Sequence, residues 1–266
     1  IVSGSKRKIT IRIKKTTSHE NGLDLEIIYP EIVELRKKGC FSLLEIWKRR
    51  ATIYHLPNAN KRLSAKRAFE MHFMKPLLFI ISRYRGAAGR GGLVSKNGEG
   101  ILILNKKGAN GNWIIPFLAK GYKYLSNDYL LFQMDGKQLA GYGIPTRIPF
   151  GKHLRKQAQE LGSVYWDKSV KKYYLEPKER NRKMCFIKTV IFPRRSSKKN
   201  LSIKRLTRND FKRRLMAEKS LGDGNQRKAV ISLLLKQAKA YEIAYGKENF
   251  SKCAEQILLN MNQESR

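Results

Sequence analysis

Residues 163–177 interleave four aromatic rings, Tyr165, Trp166, Tyr173 and Tyr174, with Lys168, Lys171 and Lys172. Rings and cations at this spacing suit single-stranded nucleic acid. Bases stack on the rings, each stack contributing about 1–3 kcal/mol, while ammonium groups neutralise phosphates. The competing reading is structural, because the same rings can close the core of a small fold. A hairpin sends alternate residues to opposite faces. Trp166 and one of Tyr173 or Tyr174 are then expected to cover the Leu154/Leu161 side of a preceding helix, and Tyr165 and the other tyrosine to face outward.

Other chemistry finds few residues to carry it. Metal-dependent polymerases and nucleases gather carboxylates around cations. Here there is no DxD, and the nearest pair, Asp24 and Glu26, lies on one face of a predicted strand. His19, His55, His72 and His153 are isolated, with no HxH, HExxH or Cys/His zinc spacing. Tyr173 and Tyr174 could imitate a relaxase nucleophile, but that chemistry needs a histidine metal cluster. Cys40, Cys185 and Cys253 are odd in number and widely spaced, which points to a reducing compartment rather than a disulfide framework. The expectation is therefore no catalytic residue, no metal and no cofactor, unless carboxylates distant in sequence converge.

Charge is the strongest single signal. Lys and Arg number 56 against 21 Asp and Glu, a formal net charge of +35 with a pI near 10.3. Such a chain repels itself without a polyanion, and nucleic acid is the expected partner, with other proteins of a nucleoprotein complex beside it. No apolar run approaches the length of a membrane span. Candidate contacts are Lys6, Arg7, Lys8, Arg12 and Lys14 near the start, Lys66 and Arg67 further on, and Arg90 and Lys96 in a glycine-rich stretch. The hairpin adds Tyr165, Lys168, Lys171, Lys172 and Tyr173. Between Lys178 and Arg214 fifteen cations face only Glu179 and Asp210, and there the candidates are Arg194, Arg195, Lys198, Lys199, Lys204, Arg205, Arg208 and Arg213.

The elements that must position these residues follow from pattern. Residues 6–15 alternate polar and β-branched side chains, and 23–29 reads as the antiparallel partner across Asn21-Gly22. From Pro30, "PEIVELRKKG" and "SLLEIWKRRATIY" read as two helices broken at Gly39, the second opened by a capping box of Ser42 and Glu45. A third helical stretch from Ser64 makes the set resemble a helix-turn-helix that would bring Lys66 and Arg67 to a groove. Residues 86–111 lack the P-loop spacing and read as a flexible loop around a strand at Ile101–Leu104. Strands are predicted at 112–117, 129–134 and 137–144, the last two joined by Asp135-Gly136. The helix "GKHLRKQAQEL" should end at a left-handed Gly162. Residues 178–214 read as an extended basic arm, or as a strand from Cys185 to Phe192 with basic flanks. Val230, Leu234, Ala238 and Tyr241 share one helical face, and Ala254, Ile257, Leu258 and Met261 another.

The resulting fold class is α+β: central antiparallel β hairpins, an N-terminal helical hairpin, a small βαββ-like module and C-terminal helices. Its segments are 1–85, 86–147, 148–177, 178–214 and 215–266.

Residues 148–177 carry Pro149, Phe150, Leu161, Gly162, Trp166, Asp167, Lys171 or Lys172, Tyr173, Tyr174 and Pro177. In these places they resemble a strand-helix-hairpin module appended to DNA primases and to proteins of conjugative plasmids and phages. The looser pattern is similar to the HARP module of DNA-annealing helicases. Ser163-Val164-Tyr165 lengthens the usual link between glycine and tryptophan. The resemblance implies a DNA-binding accessory of replication, conjugation or another mobile element. Charge spread over the chain suits an alternative, an rRNA-binding component of an organellar ribosome or other ribonucleoprotein. A divergent nuclease is a third reading. The expected compartment is intracellular and reducing, a bacterial cytoplasm or organelle matrix.

Overall fold

The computed structural model describes the backbone of residues 10–15, 24–29, 32–37, 40–45 and 50–55. Beyond these it describes 87–105, 110–135, 137–144, 146–168, 171–180, 183–196, 201–218, 220–221, 224–246 and 250–263. The chain divides into two compact units, 1–84 and 85–266.

The first unit holds a five-stranded sheet of β1 (Thr10–Lys15), β2 (Asp24–Tyr29), β3 (Ile32–Lys37), β4 (Cys40–Glu45) and β5 (Arg50–His55), in the order β1-β5-β4-β3-β2. The expected helical hairpin is therefore wrong, since both of its helices are strands. Ser42, the supposed helix cap, sits inside β4 opposite Leu35 and Ile53. Lys37 pairs with Cys40, so Lys38 and Gly39 separate two paired strands instead of breaking two helices. The physical reason lies in Ile32-Val33 and Thr52-Ile53, β-branched pairs whose side chains lose freedom in a helix and fit a pleat. The expected pairing of the first two strands also fails: β2 pairs with β3, whereas β1 runs parallel to β5. The helical stretch from Ser64, with Lys66 and Arg67, and the residues Lys6, Arg7 and Lys8 lie outside the described residues.

The second unit is built on a nine-stranded mixed sheet. Its strands are β6 (Ala87–Arg90), β7 (Gly92–Lys96), β8 (Glu99–Ile103), β9 (Lys123–Ser126), β10 (Tyr129–Asp135), β11 (Gln138–Gly143), β15 (Cys185–Arg195), β16 (Ser202–Arg205) and β17 (Lys239–Tyr245). The order β6-β10-β11-β15-β8-β7-β9 is extended by β17, which bonds both β15 and β16. Eleven-residue β15 spans two neighbours on one edge, β11 at its start and β17 along its second half. A smaller sheet, β12-β14-β13, is made of β12 (Ile148–Phe150), β13 (Gly162–Asp167) and β14 (Lys172–Pro177).

Among the described residues five helices flank these sheets: α1 (Gly111–Leu118), α2 (Arg155–Leu161), α3 (Arg208–Ala217), α4 (Gly224–Gln237) and α5 (Phe250–Gln263). Strand periodicity divides the core in two. Ile101, Ile103, Ile191 and Ile243 pack on α1, α5 and the small sheet, whereas Leu102, Leu104, Val190 and Phe192 pack on α3 and α4. Both faces of the sheet are covered, so consecutive residues of its central strands are apolar, as in Ile101, Leu102 and Ile103 and in Val190, Ile191 and Phe192, rather than strictly alternating. This layered mixed sheet replaces the expected central hairpins, although β10 and β11 do pair antiparallel as predicted.

Several local expectations are also corrected. Residues 112–117 form helix α1, not a strand, and Trp113, Ile114, Ile115, Phe117 and Leu118 are all buried. A short helix that is apolar apart from Asn112 has no alternating polar face to betray it, and Pro116 and the isoleucines mimic a strand. The strand expected at Ile101–Leu104 is present as β8, but the flexible loop before it is instead strands β6 and β7. Asn97 (φ 53°) and Gly98 (φ 81°) supply the two left-handed positions of the β7–β8 hairpin turn. Gly162 is extended at φ 169°, not left-handed, and opens β13. A side chain there would place its Cβ 2.1 Å from the Glu176 carbonyl oxygen, so close strand approach is what demands glycine. Within 178–214 the strand expected from Cys185 is present as β15, and with it the described residues form β16 and α3, so the extended-arm alternative does not hold for them. Tyr241, expected on a helix, lies in β17.

Candidate nucleic-acid interface

The strand-helix-hairpin at 148–177 is present as β12, a 3-10 turn at Lys152–Leu154, α2, β13 and β14. Cross-strand pairing sorts its rings. Phe150 and Trp166 both lie opposite Tyr173, and Pro149 and Tyr165 both lie opposite Tyr174. The first set shares a face with Ile148, Val164 and Leu175, which pack with Leu154 and Ala158 in the core. The fully buried Leu175 and Ile148 anchor the hairpin, each burial contributing about 1.5–3 kcal/mol.

Tyr173 is half-buried within a stack. Its ring is 5.8 Å from Phe150 and 4.6 Å from Trp166, and the Arg155 guanidinium is 5.6 Å from its centroid. Trp166 occupies the open end of this face and stays 49% exposed. Sequence reasoning placed its face correctly but not its exposure, because Tyr173 rather than the helix body fills the space beside it. Tyr165 is exposed on the opposite face, with the Arg147 guanidinium 4.9 Å over its ring. Arg147 and Arg180 both reach Glu176, at 3.8 and 2.8 Å. Lys168, Lys171 and Lys172 are exposed around the hairpin end, and Lys171 adopts φ 50°.

The other candidates fall into separate settings. Arg12 and Lys14 lie in β1 of the first unit. Arg90 makes a two-point ion pair with Asp128 at 2.8 and 2.9 Å and lies 5.5 Å from the Tyr129 ring. Lys96 donates to the Lys120 carbonyl at 3.3 Å. Arg194 and Arg195 end β15, Lys204 and Arg205 lie on exposed β16, and Arg208 opens α3. These strands join through β17, so one part of the second unit gathers cations from across the 178–214 run. Arg213 pairs with Asp210 at 2.7 Å, and Glu242 holds Arg214 and, at 3.8 Å, Arg194. Lys198 and Lys199 lie outside the described residues.

No family model matches the chain, and no curated protein matches it. Among solved structures it is similar to the Hpr(Ser) kinase/phosphatase from Coxiella burnetii, at 10% identity and a TM-score of 0.38 over 67% of this chain and 97% of that one. At that score the likeness carries no argument about fold or activity.

The two described cysteines, Cys185 and Cys253, are buried free thiols. Burial pushes the Cys185 thiol up to about 12 and Cys253 to about 11. Neither thiol reaches the thiolate form that reacts near neutral pH. Among the described residues no group of three His, Cys, Asp or Glu is placed to hold a metal ion. No described helix is long and apolar enough to cross a membrane. What sequence reasoning missed is the partnership of the cations: Glu176 and Glu242 each serve two arginines, and only spacing in the fold reveals it.

Proposed function

We propose that this chain is a non-catalytic nucleic-acid-binding protein, a DNA-binding accessory of replication, conjugation or another mobile element. The single observation carrying this reading is the end of the β13–β14 hairpin, where half-exposed Trp166 stands near exposed Lys168, Lys171 and Lys172. A ring presented to solvent beside ammonium groups offers a base a stacking surface and its phosphates a counter-charge. The +35 net charge supplies the long-range attraction.

The test is a titration of a fluorescent single-stranded oligonucleotide at several salt concentrations. Reversing Lys171→Glu and Lys172→Glu should weaken binding and reduce the salt slope by about 0.7 per lost phosphate contact. Trp166→Ala should cost about 1–3 kcal/mol of affinity. Its half-exposed position predicts that circular dichroism is retained. Unchanged affinity and slope in the lysine variant would remove the hairpin from the interface.

A second reading, an RNA-binding component of a ribonucleoprotein, is supported by the second cation group on β15, β16 and α3. A protein embedded in folded RNA meets phosphates from several directions and uses more than one basic surface.

A further inference from the structure

Three strands of the large sheet, β8, β15 and β17, run parallel with β15 between the other two. Beyond β8 the next helix, α1, packs on one face of the sheet. Beyond β15 the next helices, α3 and α4, pack on the other. Connections that diverge in this way open a crevice at the carboxyl ends of the strands, the place where open α/β sheets take ligands. A cavity of about 590 Å³ lies there, reached by Leu104 after β8, Phe192 to Arg195 on β15, and Glu242 and Tyr245 on β17. The volume suits a small organic ligand.

Its wall has two chemically distinct parts. One is cationic: Arg194, Arg195 and Arg214 against the carboxylates of Glu218 and Glu242. Glu242 is occupied by Arg214 and Arg194, and Glu218 accepts from the Ser220 backbone N–H at 3.3 Å. Arg195 has no ion-pair partner among the described residues, so its guanidinium is available to an anion. A planar fork of donors matches phosphate oxygens.

The other part is aromatic. His153 and Phe250 are stacked at 5.4 Å and 19°, and Tyr245 and Trp113 back Phe250 at 5.1 Å each. Beside them the Asn112 side-chain oxygen accepts from Gly151 N–H at 2.9 Å, which leaves the Asn112 amide NH₂ to donate. We propose that this cavity binds a nucleoside phosphate, its phosphate on Arg195 and its base against the His153–Phe250 wall. The ligand is either a free nucleotide or the 5′-terminal nucleotide of a bound strand, since both present the same chemistry.

The test uses the full chain and a fluorescent N-methylanthraniloyl ADP probe. Saturable binding displaced by unlabelled ADP is expected, with Arg195→Ala weakening it about tenfold or more and leaving the melting temperature unchanged. Asn112→Ala should weaken it as well. A second arm compares 5′-phosphorylated with 5′-hydroxyl oligonucleotides. If ADP does not bind but the phosphorylated strand is preferred, and Arg195→Ala abolishes the preference, the site takes a strand terminus. Absence of saturable binding together with no preference for a 5′ phosphate would overturn the assignment. So would binding that Arg195→Ala and Asn112→Ala leave intact. The Lys171→Glu, Lys172→Glu variant should bind the probe normally, which separates failure of this cavity from failure of the hairpin interface.

Discussion

At the residue scale, three buried acids of high pKa make a prediction about pH. Desolvation pushes Cys185 from its ordinary 9.0 to about 12, Cys253 from 9.0 to about 11, and Tyr124 from 10.0 to about 12. The Tyr124 hydroxyl donates to the Thr146 carbonyl at 2.7 Å, but burial outweighs the effect of that bond. In each case the unfolded chain releases its proton first, so the folded state binds more protons over the interval and stability falls as pH rises. The stability these groups confer is whole below about pH 9 and is lost progressively toward about pH 12. Urea midpoints measured from pH 7 to 11 should stay level and then decline, less steeply in Cys185→Ala once its lower starting stability is subtracted. A midpoint that is flat across the range would contradict the burial of these groups. By the same reasoning a thiol reagent at pH 8 should label neither Cys185 nor Cys253 until the second unit unfolds.

At the element scale, the 148–177 module depends on close approach between β13 and β14. Gly162 is buried, and an added Cβ would meet the Glu176 carbonyl oxygen at 2.1 Å, backbone that cannot turn aside. Gly162→Ala should therefore destabilise the second unit by about 1–3 kcal/mol, the usual cost of overpacking. Thermal denaturation checks the value. Oligonucleotide binding measured well below the transition should be affected less, because the exposed end of the hairpin lies at the far end of both strands from Gly162. Elements of this module were legible because their signals are local: a leucine-glycine stop after α2 and paired aromatic positions. In the first unit β1 and β2 were legible as strands, but β3, β4 and β5 were not. The residues of β3, β4 and β5 carry a capping-box pattern and strong helix formers such as leucine and glutamate, but inter-strand pairing satisfies their backbone groups as a sheet.

At the scale of the whole molecule, the proposed DNA and ribonucleoprotein readings are separated by which nucleic acid the basic surfaces retain. Cations occur at the hairpin end and again on β15, β16 and α3, while Glu176 pairs with Arg147 and Arg180, and Glu242 with Arg194 of β15 and Arg214 of α3. Gentle-salt purification from native cells, followed by sequencing of bound DNA and RNA, should enrich a defined DNA locus. Copurifying ribosomal RNA in its place would favour the ribonucleoprotein reading.

Composition and local pattern were sufficient for some conclusions. The +35 charge is legible without any structure, and it is the ground on which a polyanionic partner is proposed wherever the residues fall in space. The Asp135-Gly136 signal and the alternation around it predict β10 and β11, because the two strands are neighbours in sequence. Tertiary structure alone decided the rest. The parallel set β8, β15 and β17 joins segments beginning at Glu99, Cys185 and Lys239, and no local signal records a pairing across such separations. The crevice at their carboxyl ends, the availability of Arg195 and the sharing of Glu242 all follow from that long-range packing. Trp166 shows the same division within one side chain: alternation assigned its face, but its half-exposure depended on how far Tyr173 and the adjoining core extend beneath it.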